Sequence, residues 1–165
     1  MNSNLTRRSL LALGSAAAIT PAAAQHALRA FSAGDIVISQ AWTRATPPGA
    51  KAAAGFMVIE NRGGQPDRLI GGSFAGAASV EIHEMAMSGG VMHMRELAQG
   101  IVIPPGGKIE LKPGGLHVMF IGLSGAVAQG AAVKGELIFE KAGKVAVEYF
   151  AAPVGARGPG HGIHQ

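Results

Sequence analysis

The sequence has no cysteine among its 165 residues. This absence excludes disulfides, thiolate nucleophiles and cysteine-ligated metal sites, including a blue-copper electron-transfer centre. Charged residues make up only 15% of the chain and aromatic residues only 5%. No basic run with interleaved aromatic residues occurs, so nucleic acid is not an expected partner. An apolar share of 48% with 25 glycines and 9 prolines favours a folded, turn-rich protein.

Residues 1–24 have the order of a secretory signal peptide of the twin-arginine type. A polar start ending in Arg7-Arg8 precedes an alanine-rich apolar run from Leu10 to about Thr20, and small residues then allow cleavage after Ala24. We therefore expect a periplasmic protein. An uncleaved membrane anchor is the alternative, but the run is shorter than the roughly 20 residues that a spanning helix needs. Without a cysteine at the junction a lipoprotein anchor is not expected, and we expect no membrane span in the mature protein.

Residues 25–151 alternate short apolar segments with turns rich in glycine, proline, asparagine and aspartate, as all-β domains do. The predicted strands are 35–44, 52–60, 68–74, 79–87, 91–97, 108–111, 116–123, 132–140 and 144–150. The pattern predicts one antiparallel sandwich or small barrel. Residues 25–33 are expected to be a flexible lead-in, and residues 152–165 a flexible tail rich in glycine, proline and histidine.

Methionine and histidine collect in the middle of this domain. Five of the seven methionines lie between Met85 and Met119, beside His83, His93 and His117. Methionine is a flexible gap-filler with no packing reason to cluster. Soft thioether sulfur selects Cu(I), and imidazole tolerates it, so the cluster indicates a soft metal site. The alternative is that the methionines fill the core of a sandwich that binds no metal.

Strand periodicity sorts these side chains, because residues i and i+2 point to the same side. One shared face is predicted for His83, Met85, Met87, Met92 and Met94. Met85, Met87 and Met92 are expected to be core or supporting neighbours. His93 falls on the other side and is expected to face solvent, whereas His117 projects together with Met119.

The turn between the two strands leaves the register of the hairpin open. A two-residue turn at Gly89-Gly90 pairs Met85 with Met94, and one at Ser88-Gly89 pairs His83 with Met94. Both registers keep the predicted shared face.

This pattern resembles the motif of the periplasmic copper chaperones called PCuAC. The motif of that family is H-x10-M, about twenty-one residues, then H-x-M. Here ten residues separate His83 from Met94 and twenty-two separate Met94 from His117-Val118-Met119. The intervening Gly89-Gly90-Val91-Met92 and Leu111–His117 segments also match, and the resemblance covers roughly Ile36–Ala151.

The resemblance implies an all-β, cupredoxin-like Greek-key β-sandwich. It implies one Cu(I) held by His83, Met94, His117 and Met119, and a protein that is a chaperone and not an enzyme. In the family the metal passes to the CuA centre of cytochrome c oxidase subunit II, directly or with a thiol-containing copper chaperone. A periplasmic copper storage or resistance protein is the nearest alternative, and a metal-free sandwich that binds protein or carbohydrate is the other.

Many members of the family carry a His- and Met-rich tail that binds a second, oxidised copper. The tail here has only His161 and His164 and no methionine. Weak binding of Cu(II) by these two histidines and a plain linker end are both compatible with that composition. His26, near the predicted new N-terminus, is a further candidate ligand.

Overall fold

In a computed structural model of the chain, residues 29–159 are described, and they contain strands and turns but no helix. The eleven strands are β1 (Ala30–Ala33), β2 (Ile36–Arg44), β3 (Ala52–Asn61), β4 (Asp67–Phe74), β5 (Ser79–Ser88), β6 (Val91–Glu96), β7 (Ile101–Ile103), β8 (Lys108–Leu111), β9 (His117–Ile121), β10 (Ala132–Phe139) and β11 (Gly143–Ala152). The predicted all-β class is therefore confirmed.

The strands hydrogen-bond in the order β6-β5-β9-β3-β2-β11-β10-β4-β7, with β1 added to β2 and β8 added to β3. All pairs are antiparallel except β11 with β2. The path folds over itself as a sandwich and encloses one main core, to which nearly every strand contributes. The largest fully buried side chains include Tyr149, Phe120, Phe139, Met57 and Leu137. The β6-β5-β9-β3 part of this path positions the methionines and histidines.

Two strands were not predicted. Ala30–Ala33, expected to be part of a flexible lead-in, pairs with the start of β2. The reason is a tight two-residue turn, since Ala33 pairs with Ile36 and Gly34 has the positive φ of 55° that such a turn requires. Ile101–Ile103 is also a strand, paired with β4. It has only three residues, too few for a strand pattern to be seen against its Pro-Gly surroundings.

Strand β2 changes which face its side chains take at Gln40. The ladder runs regularly as far as Ser39, after which both Gln40 and Ala41 stand opposite Met57. Gln40 has a φ of 54°, which is in the left-handed region. One extra residue reverses the alternation of a strand. Ala41 therefore points into the main core, whereas Trp42 lies on the opposite face of the layer.

Residues 153–159, the C-terminal strap, lie against that opposite face. Ala156 is buried in a second apolar cluster with Trp42 and Phe56. Its carbonyl accepts a hydrogen bond of 2.8 Å from Arg44 Nε, and the Arg44 guanidinium lies 5.6 Å from the centre of the Phe56 ring. The predicted tail 152–165 thus begins inside β11, and its first part packs on the sandwich.

Candidate metal centre

The site is built on β5, β6 and β9, three neighbouring strands at one end of the path. Residues directly opposite in an antiparallel pair project to the same side of the sheet. In β5 and β9 the main core takes Ile82, Val118 and Phe120. The residues that alternate with these along each strand, which include His83 and His117, point away from the main core. We call that side the outer face.

The register of the β5–β6 hairpin is the one that pairs Met85 with Met94. Gly89 and Gly90 occupy the turn with φ values of 58° and 78°. Two successive positive φ angles are what a two-residue hairpin turn demands, and glycine supplies them without steric cost. Of the two registers left open by the sequence, the Gly89-Gly90 turn is thus the correct one.

The two histidines face each other across neighbouring strands. His83 pairs directly with His117 in the β5–β9 ladder. Their ring centroids are 5.8 Å apart, and the rings are inclined by 63°. Both side chains are buried, with 8% of His83 and 6% of His117 exposed. Two imidazoles at this spacing offer a pair of nitrogen ligands on one face.

The two methionines of the predicted ligand set occupy diagonal positions around this pair. Met94 is opposite Met85, two residues along β5 from His83. Met119 is opposite Glu81, two residues from His83 in the other direction. Diagonal neighbours in a sheet are roughly 7–8 Å apart, with their Cβ atoms somewhat closer, which is within reach of long side chains. The four predicted ligands therefore lie on one continuous patch of the outer face.

The hydrogen bonds of His83 leave one ring nitrogen without a partner. Its Nε2 lies 2.9 Å from Glu81 Oε2. A carboxylate can only accept, so Nε2–H is the donor and Nδ1 carries the lone pair. That Nδ1 is buried and has no hydrogen-bond partner. A carboxylate that orients an imidazole in this way is typical of metal-binding histidines.

His117 is oriented in the same manner by the backbone. Its Nδ1 donates to the carbonyl of Gly115 at 3.0 Å, which leaves Nε2 with the lone pair. Burial lowers the pKa of His117 below its ordinary value. The hydrogen bond to Gly115 acts against that shift, and the nearby His83 adds to it. A neutral imidazole is the form that binds a metal, so the site favours the binding-competent state.

An aromatic cluster lies beside His117 on the same face. The Phe56 ring centroid is 6.5 Å from that of His117, and the Trp42 ring centroid is 4.6 Å from that of Phe56. Sequence reasoning missed this neighbourhood, because the extra residue in β2 hides the face that Trp42 takes. It also missed Glu81, although Glu81 stands two residues before His83 and strand periodicity alone places both on one face.

The solvent exposure of the methionines in this patch differs from the prediction. Met94 is 53% exposed, whereas Met119 is half-buried. Met87 and Met92 were expected to be core or supporting neighbours, but 66% of Met87 and 44% of Met92 are exposed. All six residues of the edge strand β6 are exposed, as are Met87 and Ser88 at the end of β5, so the described part of the chain covers neither face of the hairpin near its turn. His93 is exposed on the other side of β6, as predicted.

Carboxylates and histidines alone do not assemble a metal site in the part of the chain that is described. No group of three or more histidine, aspartate or glutamate side chains has a suitable arrangement between residues 29 and 159. A metal held by His83 and His117 would therefore draw on methionine sulfur. The cavity of about 580 Å³ between β4, β10 and β11 lies away from this patch and is lined by neither histidine nor methionine.

Three predicted features lie outside the described residues. They are the signal peptide 1–24, His26, and the tail histidines His161 and His164. Residues 29–159 contain no helix that is long and apolar enough to cross a membrane.

Comparisons with solved structures define the class of domain to which this fold belongs. The copper-bound PCuAC domain from PmoF2 is 30% identical with a TM-score of 0.66, covering 77% of this chain and 100% of that domain. The apo PCuAC domain from PmoF1 is 27% identical with a TM-score of 0.65, covering 76% of this chain and 100% of that domain. The Cu(I) form of DR1885 from Deinococcus radiodurans is 27% identical with a TM-score of 0.58, covering 79% of this chain and 85% of that one. The fold is thus that of a PCuAC domain, and the resemblance found in the sequence is confirmed.

The family follows from the sequence comparisons. Residues 36–153 match the family described as "Putative lipoprotein LpqE-like". The relative "Putative lipoprotein Lxx21020" from Leifsonia xyli subsp. xyli (strain CTCB07) is 32% identical over 130 residues, which cover 79% of this chain and 76% of that protein. The chain belongs to the LpqE-like family. Both descriptions speak of lipoproteins, whereas the 165 residues of this sequence contain no cysteine.

Proposed function

We propose that this protein is an exported copper chaperone that binds one Cu(I) through His83, Met94, His117 and Met119. The observation that carries the proposal is the buried His83–His117 pair. Each ring has one nitrogen held by an acceptor and the other left with a lone pair, and the buried Nδ1 of His83 has no partner. The similarity to a copper-bound PCuAC domain and to the Cu(I) form of DR1885 supports copper as the metal.

The ligand types suit Cu(I) held for transfer. Thioether and neutral imidazole ligands carry no charge, and soft sulfur prefers the monovalent ion. Met94 is 53% exposed, while the two histidines are almost fully buried. An acceptor can therefore displace the Met94 thioether first and take the ion stepwise. Such a transfer makes and breaks only metal–ligand bonds, so we assign the protein no enzymatic reaction.

For the acceptor we propose the CuA centre of cytochrome c oxidase subunit II, reached directly or with a thiol-containing copper chaperone. The lipoprotein names of the family and of the Leifsonia relative support an exported protein. The predicted signal peptide supports the periplasm as its location. In that compartment a site made of thioethers does not form disulfides, which thiol ligands would do.

The site is tested by Cu(I) affinity, measured anaerobically against a competing chelator. His117→Ala and His83→Ala should each weaken binding by more than about 100-fold. Even replacing a residue that only hydrogen-bonds to a metal ligand lowers metal affinity roughly 10–100-fold, and these two residues are proposed as ligands themselves. Met94→Leu should weaken it less, since both buried imidazoles remain and Met94 itself is 53% exposed. The matched control is His93→Ala on the other side of β6, which should bind like the parent. Parental affinity in either of the first two variants would refute the copper site.

A gene deletion distinguishes copper delivery from copper storage. Deleting the gene under low copper should reduce assembly of active cytochrome c oxidase, and added copper should restore it. Unchanged oxidase assembly together with greater copper sensitivity would instead assign the protein to copper storage or resistance.

A further inference from the structure

Beyond His83, the outer face of the β5–β6 hairpin carries nothing but methionine. Four positions of the hairpin face this side between His83 and the turn, and they are occupied by Met85, Met87, Met92 and Met94. The proposed site uses only Met94. The other three have no part in the chemistry described so far, and Met87 and Met92 are not part of either apolar cluster.

The three remaining thioethers are close enough to share one ion. Met87 pairs with Met92, one step beyond the Ser88–Val91 pair that flanks the turn. In a two-residue hairpin that next pair lacks backbone hydrogen bonds, so its Cα atoms are only about 4.5 Å apart. Met85 is two residues along the same strand, at roughly 7 Å. Methionine has three rotatable bonds in its side chain, so sulfur atoms from these positions can converge.

The residue type points to a metal. An apolar docking surface can be made from leucine, isoleucine or valine, which resist oxidation. Exposed methionine is liable to become the sulfoxide, and Met87 and Met92 are exposed over 66% and 44% of their surface. What sulfur adds over an aliphatic side chain is the capacity to bind a soft cation. The sequence places it at each of the four positions.

We propose that Met85, Met87 and Met92 form a second Cu(I) site, made only of thioethers. The inference rests on the proposed function, since it takes the same ion, but it concerns residues outside the four-ligand set. The new site holds Cu(I) more weakly than the first, because it has no imidazole and is open to solvent. It adjoins the first site directly, because Met85 is the cross-strand partner of Met94. It thus provides a transit position at the exposed end of the hairpin.

The test is an anaerobic titration of the full mature chain with Cu(I) alone, in competition with a chromogenic chelator. The parent should bind about two equivalents, the second at least 10-fold more weakly than the first. The double variant Met87→Leu/Met92→Leu should bind about one, with the affinity of the first site unchanged. Leucine preserves the volume of methionine, and these side chains are exposed, so the variant should fold. Val91→Leu, at the same turn but on the other side, is the control and should keep both equivalents.

The converse variant isolates the new site. His83→Ala/His117→Ala, which removes both imidazoles of the first site, should retain one weak equivalent, whose copper X-ray absorption spectrum shows sulfur ligands without imidazole. A parent that binds one equivalent, lost in this double variant, would overturn this inference and leave the proposed function standing. A second equivalent that persists in Met87→Leu/Met92→Leu would overturn it too, since that ion would be elsewhere, for instance on His161 and His164. A parent that binds no copper would overturn both.

Discussion

The two faces of β9 differ completely, although the strand has only five residues. Val118 and Phe120 are fully buried in the main core, while His117 and Met119, which alternate with them, point to the outer face. The inner side chains are apolar, whereas His117 and Met119 each offer a nitrogen or sulfur atom. Because a strand alternates its side chains with period two, one short segment can support the fold and present the proposed ligands without conflict.

The strongest test of this separation compares neighbours on β9. Phe120→Ala should lower the free energy of unfolding by about 3–5 kcal/mol, because a buried aromatic ring is replaced by a cavity. That ring stacks on Phe74 at 3.8 Å and meets Tyr149 edge-on at 5.1 Å. Met119→Leu should cost less than about 1.5 kcal/mol, since its volume is conserved.

Urea denaturation and Cu(I) titration of the same two variants give the full contrast. The folded fraction of Phe120→Ala should keep copper affinity close to the parent, whereas Met119→Leu should lose affinity while remaining stable. If Met119→Leu destabilised the protein as much as Phe120→Ala, the outer face would be part of the core and the separation would be wrong.

A smaller effect is expected where the outer face is covered by the C-terminal strap. Arg44→Met removes the hydrogen bond to Ala156 and the contact with the Phe56 ring. We expect a loss of about 1–2 kcal/mol in stability. Amide exchange of residues 153–159 should become faster. Arg62→Met is the control, because its ion pair with Glu60 is exposed and worth little. Equal exchange rates in the two variants would mean that Arg44 does not hold the strap.

The smallest effect concerns the residue that sends Trp42 to the outer face. Gln40 has a φ of 54°, a conformation that costs a side chain roughly 1–2 kcal/mol. Gln40→Gly should relieve it and raise stability by about 0.5–1 kcal/mol, after the larger backbone entropy of glycine is subtracted. Thermal unfolding measures the change. Gln40→Val should shift the transition in the opposite direction, and a stabilised valine variant would contradict the left-handed assignment.

Local patterns predicted most of the strands and the sorting of the central side chains. The Gly89-Gly90 turn and the alternation around it are short-range features, so the shared face of Met85 and Met94 could be predicted. The pair His83–His117 could not be, because it depends on which strands lie side by side. Neither could the exposure of Met87 and Met92, since whether a strand face is core or surface depends on what packs over it.

The sequence by itself determined the β class, the faces on which His83, Met94, His117 and Met119 lie along their own strands, and the soft character of the proposed ligand set. These follow from residue chemistry and a period of two, which need no partner strand. The tertiary structure decided that β5 lies between β6 and β9, that His117 lies opposite His83, and that the extra residue in β2 turns Trp42 outward. Such features arise from pairing between distant segments, whose register and neighbours are set by the packing of the whole core.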